Sequence, residues 1–189
     1  ETEFQHSESI YPDSGKGDLL IEQVERSLEA GRKVLIFSQY KEMGERIQTW
    51  LKSTLNIEAL FLHGGVALKK RSEMVDRFQN DSQTQVMILS LKAAGTGLNL
   101  TQASTVIHYD LWWNPAVEEQ ATDRAYRIGQ KRDVIVYRFI SRGTFEERIN
   151  EMLSNKKELA GLTVSLGETW IGDLSFEELQ SVFKLDSIA

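Results

Sequence analysis

Cysteine is absent from this 189-residue chain. That excludes a disulfide framework, a thiolate metal site and a cysteine nucleophile. Histidine is scarce: the three in the chain, His6, His63 and His108, include no two at ligand spacing, which argues against a zinc site. No apolar run approaches the ~20 residues of a membrane-spanning helix, and the amino terminus has no basic start followed by an apolar stretch. No membrane partner is expected; the setting indicated is a soluble, reducing compartment. Two motifs of phosphoryl chemistry are missing as well. Nowhere is there G-x-x-x-x-G-K-S/T; Gly15-Lys16-Gly17 and Gly129-Gln130-Lys131 lack the spacing and the hydroxyl. There is no Asp-Glu dipeptide to hold Mg²⁺ and orient water.

What is present is ordinary for a globular domain: 41% hydrophobic and 26% charged residues. The net charge of −6 opposes nucleic-acid binding by the chain as a whole, but the charge is uneven. Between Gln120 and Arg142, Arg124, Arg127, Lys131, Arg132, Arg138 and Arg142 face only Asp123 and Asp133, a local +4. From Gly143 onward, four basic residues meet nine acidic ones, a local −5. This predicts a basic working face and an acidic tail.

Residues 1–15 read as a linker or flexible start, and the beginning at Glu1 without Met suggests a piece of something longer. From Asp18, a candidate cap, a helix carries Leu20, Val24 and Leu28, with Gly31 past its end. Strands are predicted over 33–38, 59–63, 86–90, 105–109 and 134–140, and helices over 41–54, 67–79, 115–127 and from Phe145 onward. The strands are apolar throughout rather than alternating, which is what a sheet buried on both faces requires. The expectation is an α/β layered domain over 16–155, with a mainly parallel sheet flanked by helices and a helical C-terminal extension over 156–189. Ligands in such sheets sit at the carboxyl ends of strands.

After the third strand, Leu91 to Leu100 contains Gly95 and Gly97, which let the backbone approach a phosphate closely. An isolated G-x-G is more often a plain turn. After the fourth strand comes D-L-W-W-N-P, in which Asn114 suits a cap and Pro115 a first helical turn. Of the adjacent Trp112 and Trp113, one exposed beside a basic face could stack on nucleic acid, although both could equally be core. In the predicted helix 115–127, Val117, Ala121, Ala125 and Ile128 form one stripe and Gln120, Arg124 and Arg127 the next. Two guanidiniums three residues apart repel, and with a Gln amide they suit a polyphosphate clamp. Salt bridges to Glu118, Glu119 or Asp123 fit the spacing as well. After the second strand, His63-Gly64-Gly65 precedes Lys69, Lys70 and Arg71. Cations in a first helical turn oppose the dipole, so a bound anion would offset them; a solvated charged face is at least as good a reading.

Taken in order, V-L-I-F-S-Q-Y (34–40), L-H-G-G-V-A-L-K-K-R (62–71), I-L-S-L-K-A-A-G-T-G-L-N-L with T-V-I-H-Y-D-L-W-W-N-P (88–115) and Q-A-T-D-R-A-Y-R-I-G-Q (120–130) resemble the fourth, following, fifth and sixth motifs of one family. This is the C-terminal RecA-like lobe of the SWI/SNF-type ATP-dependent DNA translocases, in helicase superfamily two. The match covers about 16–150, and R-I-G-Q after Q-x-x-D-R is its most specific part. W-I-G-D-L-S-F-E-E-L-Q (170–180) is similar to the ending of bacterial and archaeal members, and Ala94 stands where many relatives have Gly.

The resemblance implies ATP with Mg²⁺ held between two lobes, the metal mainly by an N-terminal RecA-like lobe of the same polypeptide. Arg124 and Arg127 would be arginine fingers, with Gln120, Gly95 and Gly97 lining the nucleotide. Double-stranded DNA would contact Gly64, Arg71, Lys92, Gly95, Asn99 and Trp113. It implies a nucleoid-associated cytoplasmic protein in a prokaryote, the favoured source, or a nuclear one in a eukaryote. A strand-separating helicase lobe and a non-catalytic nucleic-acid-binding module are the alternatives. R-I-G-Q disfavours the first and the intact Gln120–Arg124–Arg127 set the second.

Overall fold

In a computed structural model of the chain, residues 11–90, 93, 97–112 and 114–160 are described, with side chains as far as residue 154. Five strands form one sheet: β1 (Lys33–Ser38), β2 (Leu60–Leu62), β3 (Val86–Ser90), β4 (Ala103–His108) and β5 (Ile135–Arg138). Their order is β2-β3-β1-β4-β5, and every pairing is parallel. The helices are α1 (Gly15–Glu29), α2 (Lys41–Leu55), α3 (Leu68–Asn80), α4 (Pro115–Thr122) and α5 (Phe145–Ala160).

The uniform apolarity of the inner strands has a direct cause. Val34 and Ile36 of β1 pack with Leu20, Val24, Ile47 and Trp50 of α1 and α2. Their neighbours Leu35 and Phe37 face the opposite layer, with Phe78 of α3 and Ala121 of α4. Successive side chains point to opposite faces, so a strand covered on both sides has no solvent position for a polar residue. The α2 layer lies so close to the sheet that a Cβ at Gly44 would overlap the Phe61 ring.

Three expectations change. The first helix starts earlier, capped by Ser14, whose Oγ accepts from Gly17 N–H at 3.2 Å. Asp18 lies in the first turn, where a carboxylate still complements the dipole. Strand β5 is not buried like its neighbours: three of its four residues are exposed. It pairs on one side with β4 and forms the edge of the sheet. Finally, the helix expected over 115–127 ends at Thr122. The expected extension over 156–189 lies outside the described residues beyond Ala160, as do residues 1–10 of the expected linker.

Candidate nucleotide and nucleic-acid interface

The carboxyl ends of β1 and β4 are tied together first. Asp110 Oδ2 accepts from Ser38 Oγ at 2.6 Å and from Gln39 N–H at 3.1 Å, while the Gln39 amide donates to Leu111 O. The chain then turns into α4, where Asn114 caps the Ala116 N–H at 3.0 Å and Pro115 occupies the first turn. Glu118 is buried and bridges three elements: it accepts from Trp112 N–H at 2.8 Å and from Arg138 Nε of β5 at 2.7 Å. At the far end of α4, His108 Nε2 meets Thr122 Oγ1 at 3.0 Å, and the imidazole stacks on Phe37. Burial, with a smaller push from Arg138, lowers the His108 pKa to about 4.

Beyond Thr122 the helical pattern gives way to tighter turns, with Arg124 N–H bonded to Ala121 O at 3.2 Å and Ala125 N–H to Thr122 O at 3.0 Å. Leu100 N–H takes the Arg124 carbonyl at 2.9 Å, and the Gln130 amide takes that of Ala125 at 3.0 Å. Residues 123–129 form tight turns, and Gly129 adopts φ +106°, a conformation that a side chain resists. Ile128 therefore does not join the buried stripe; it is 98% exposed, whereas Ala121 and Ala125 are buried.

The arginines part company for the same reason. Arg124 is buried at 8% exposure, and its Nε has no hydrogen-bond partner among the described residues. Arg127 is exposed, with Nη1 3.4 Å from the Gly97 carbonyl. Gln120 is exposed on α4, and Gly97 is exposed at φ +63°.

The DNA-facing candidates cluster elsewhere. Gly64 is exposed in the loop at the carboxyl end of β2. Arg71 closes that loop on itself: its Nε donates to Val66 O at 2.7 Å and Nη2 to Gly64 O at 2.8 Å. Asn99 is exposed beside Leu98, which lines a groove along α3 shared with Arg71. Lys92, Gly95 and Trp113 lie outside the described residues. The arginine loop sits toward the amino end of β4, since its contacts are with Leu100 and Ala103. The segment 97–102 lies between the two sets. Gln102 N–H and Thr101 Oγ1 meet Gln79 of α3 on one side, and Gly97 and Leu100 meet Arg127 and Arg124 on the other.

The basic face is smaller than the charge count implies. Arg132 donates to Gly31 O, and Arg138 bonds Glu118 and Asn150, so both brace the fold. Among the described residues, no group of three or more His, Asp or Glu side chains could hold a metal. None of their helices is long and apolar enough to cross a membrane. Sequence reasoning gave no role to Asp110 or Gln130, and offered Glu118 only as a salt-bridge partner for Arg124 or Arg127, whereas it pairs with Arg138. Asp110 directly follows a predicted strand, and Gln130 sits within the quoted R-I-G-Q, which were the available signals.

The helicase conserved C-terminal domain family matches residues 15–129, most of the described chain. This chain belongs to that family, as the C-terminal lobe of a SWI/SNF-type helicase. The lobe is 43% identical to a Sulfolobus solfataricus SWI2/SNF2 ATPase core in complex with double-stranded DNA, at TM-score 0.77, over 95% of this chain and 37% of that one. The isolated C-terminal domain of a Sulfolobus solfataricus SWI2/SNF2 ATPase aligns at TM-score 0.74 and 39% identity, covering 96% of this lobe and 73% of that chain. Among curated proteins, YwqA of Bacillus subtilis, named for an ATP-dependent helicase/translocase, is 44% identical over 98% of this lobe. The human chromatin-remodelling ATPase INO80 is 41% identical over 85% of it. The lobe spans about a fifth of the length of YwqA (20%) and a tenth of INO80 (10%).

Proposed function

We propose that this lobe is the second half of a motor that hydrolyses ATP to move along double-stranded DNA, with Arg124 and Arg127 acting on the phosphates. The observation that carries this reading is the Arg124 guanidinium, 8% exposed, with Nε unpartnered among the described residues. A buried cation with an unmet donor is costly, and a polyphosphate supplies the missing acceptor. Arg127, exposed on the same loop, fits the finger that meets charge developing on the γ-phosphoryl group. Gln120 and Gly97 would border the nucleotide, with Gly95. Mg²⁺ would neutralise phosphate charge, held mainly by carboxylates of an N-terminal lobe, which would also bring the phosphate-binding loop.

The DNA track would cross the loops holding Gly64, Arg71 and Asn99, with Lys92, Gly95 and Trp113 completing it. The Sulfolobus solfataricus core bound to double-stranded DNA supports duplex rather than single strand as the track. Such a protein works where DNA is, in the nucleoid of a prokaryote by the similarity of its closing stretch.

Steady-state ATP hydrolysis with and without duplex DNA tests this, using the full-length protein and this lobe alone. The full-length protein should show DNA-stimulated turnover without separating strands, and the lobe alone none above background. Efficient unwinding of a blunt duplex would favour a strand-separating helicase. Turnover by the lobe alone would remove the need for a second half.

A further inference from the structure

The loop that carries both arginines is held by one amide. Gln130 Nε2 donates to Ala103 O at 2.7 Å, where β4 begins, and to Ala125 O at 3.0 Å, between the two arginines. Its Oε1 accepts from Lys131 N–H and Arg132 N–H, each at 2.9 Å. Its own backbone N–H donates to Arg127 O at 2.9 Å. Both amide protons and both lone pairs of the oxygen are used, so the side chain has one orientation and no spare capacity. Only an uncharged amide of this length offers two donors to carbonyls and two acceptor sites to N–H groups together. A carboxylate of the same shape would set a charged oxygen against two carbonyl oxygens.

The surroundings make this clasp consequential. The turns of 123–129 follow a helix that has already ended, and Ile128 and Tyr126 are 98% and 70% exposed, so little packing holds the far side of the loop. Leu100 N–H fixes the Arg124 carbonyl from one direction. Gln130 fixes the Ala125 and Arg127 carbonyls from the other. The geometry points to Gln130 as the positioning residue for Arg124 and Arg127: through four side-chain hydrogen bonds it sets where the two guanidiniums are presented to phosphate. It touches no nucleotide itself. This assignment rests on the reading of Arg124 and Arg127 given above and deepens it.

The test uses the full-length enzyme with saturating duplex DNA, and compares Gln130→Glu, Gln130→Asn and Gln130→Ala with Arg127→Ala. Misplacing a catalytic group by about 1 Å costs on the order of 100-fold in rate, so kcat of Gln130→Glu should fall by about that factor. The KM for ATP should change less than kcat, because a finger acts mainly on charge that develops in the transition state. Gln130→Asn keeps the amide but is one methylene short, and should lose less. Adding Gln130→Glu to Arg127→Ala should cost less than it does alone, since the two act through one group.

Parental kcat in Gln130→Glu and Gln130→Ala, with Arg127→Ala inactive, would overturn the positioning role and leave the arginine reading intact. Parental kcat in Arg127→Ala would overturn both. Equal losses in kcat, ATP affinity and melting temperature across all three Gln130 variants, or failure of all three to fold, would make Gln130 a purely structural clasp and overturn the proposal.

Discussion

Two loops of this lobe carry arginines that the sequence presents alike, and the fold treats them in opposite ways. At the start of α3, the Arg71 Nε and Nη2 donate to the Val66 and Gly64 carbonyls five and seven residues back, so the guanidinium shapes the loop that follows β2. In the loop after α4, the backbone carbonyls are held by others, and Arg124 Nε is buried with no partner among the described residues. A guanidinium has five donors in a fixed fork. Where carbonyls of the chain take those donors, the residue braces the fold; a buried donor left without an acceptor is a cost that a bound anion would relieve. Arg132 and Arg138 fall on the side of the braces. Charge count alone does not separate these arginines; what each guanidinium bonds to does.

The sharpest way to break this contrast is Arg127→Ala in the full-length protein. Turnover should fall by about 10³-fold, with nucleotide affinity and melting temperature near the parent values, as expected of a finger that acts mainly in the transition state. Arg127→Lys should not rescue it, because a point charge lacks the planar fork. Steady-state kinetics beside nucleotide titration decide the matter; normal turnover would move Arg127 among the braces.

Arg124→Met extends the test to the buried cation. Replacing a buried charge whose donors are incompletely met by an apolar chain of similar volume is often neutral or stabilising. The melting temperature should hold or rise while DNA-stimulated turnover drops. A fall of several degrees with turnover retained would show that Arg124 supports the core.

Acid should loosen the arginine loop before the Arg71 loop. His108 anchors Thr122, where α4 gives way to the turns, and burial holds its pKa at about 4, below the usual 6.5. The unfolded chain therefore binds the proton more readily, so stability is lost as pH falls from about 6.5 toward 4. The contribution is on the order of 3 kcal/mol over that window. His108→Phe, which can keep the stacking on Phe37, should flatten this part of the melting-temperature profile. Hydrogen exchange near pH 5 should show opening at 122–129 ahead of 63–71. An identical acid profile in the variant would remove His108 from the account.

The smallest effect is expected at Arg71→Ala. Losing two partly exposed hydrogen bonds should cost about 1 kcal/mol. If the remaining donors also meet DNA phosphate, the log–log salt dependence of binding should shallow by about 1. A salt slope unchanged from the parent would leave Arg71 a brace alone.

The order of elements was legible in the sequence. K-V-L-I-F-S became β1 and V-M-I-L-S became β3 at the expected residues, because an apolar run bounded by turns has few alternatives. Asn114 and Pro115 start α4 for local reasons, capping and a preset φ, that any sequence window contains. The motif strings likewise marked the family and the residues to watch. What a window of residues could not contain was competition from afar. Helical periodicity continued on paper to Arg127, yet the chain tightens into turns after Thr122, Leu100 takes the Arg124 carbonyl, and Ile128 turns outward. Strand β5 looked as buried as its neighbours until its place at the sheet edge exposed it. Local propensity and hydrophobic period determined which elements exist. Which arginine is buried and which is offered to solvent was decided by the packing of the turns after α4 on residues distant in the chain, Leu100 and Ala103 among them, because those contacts form only once the elements have packed.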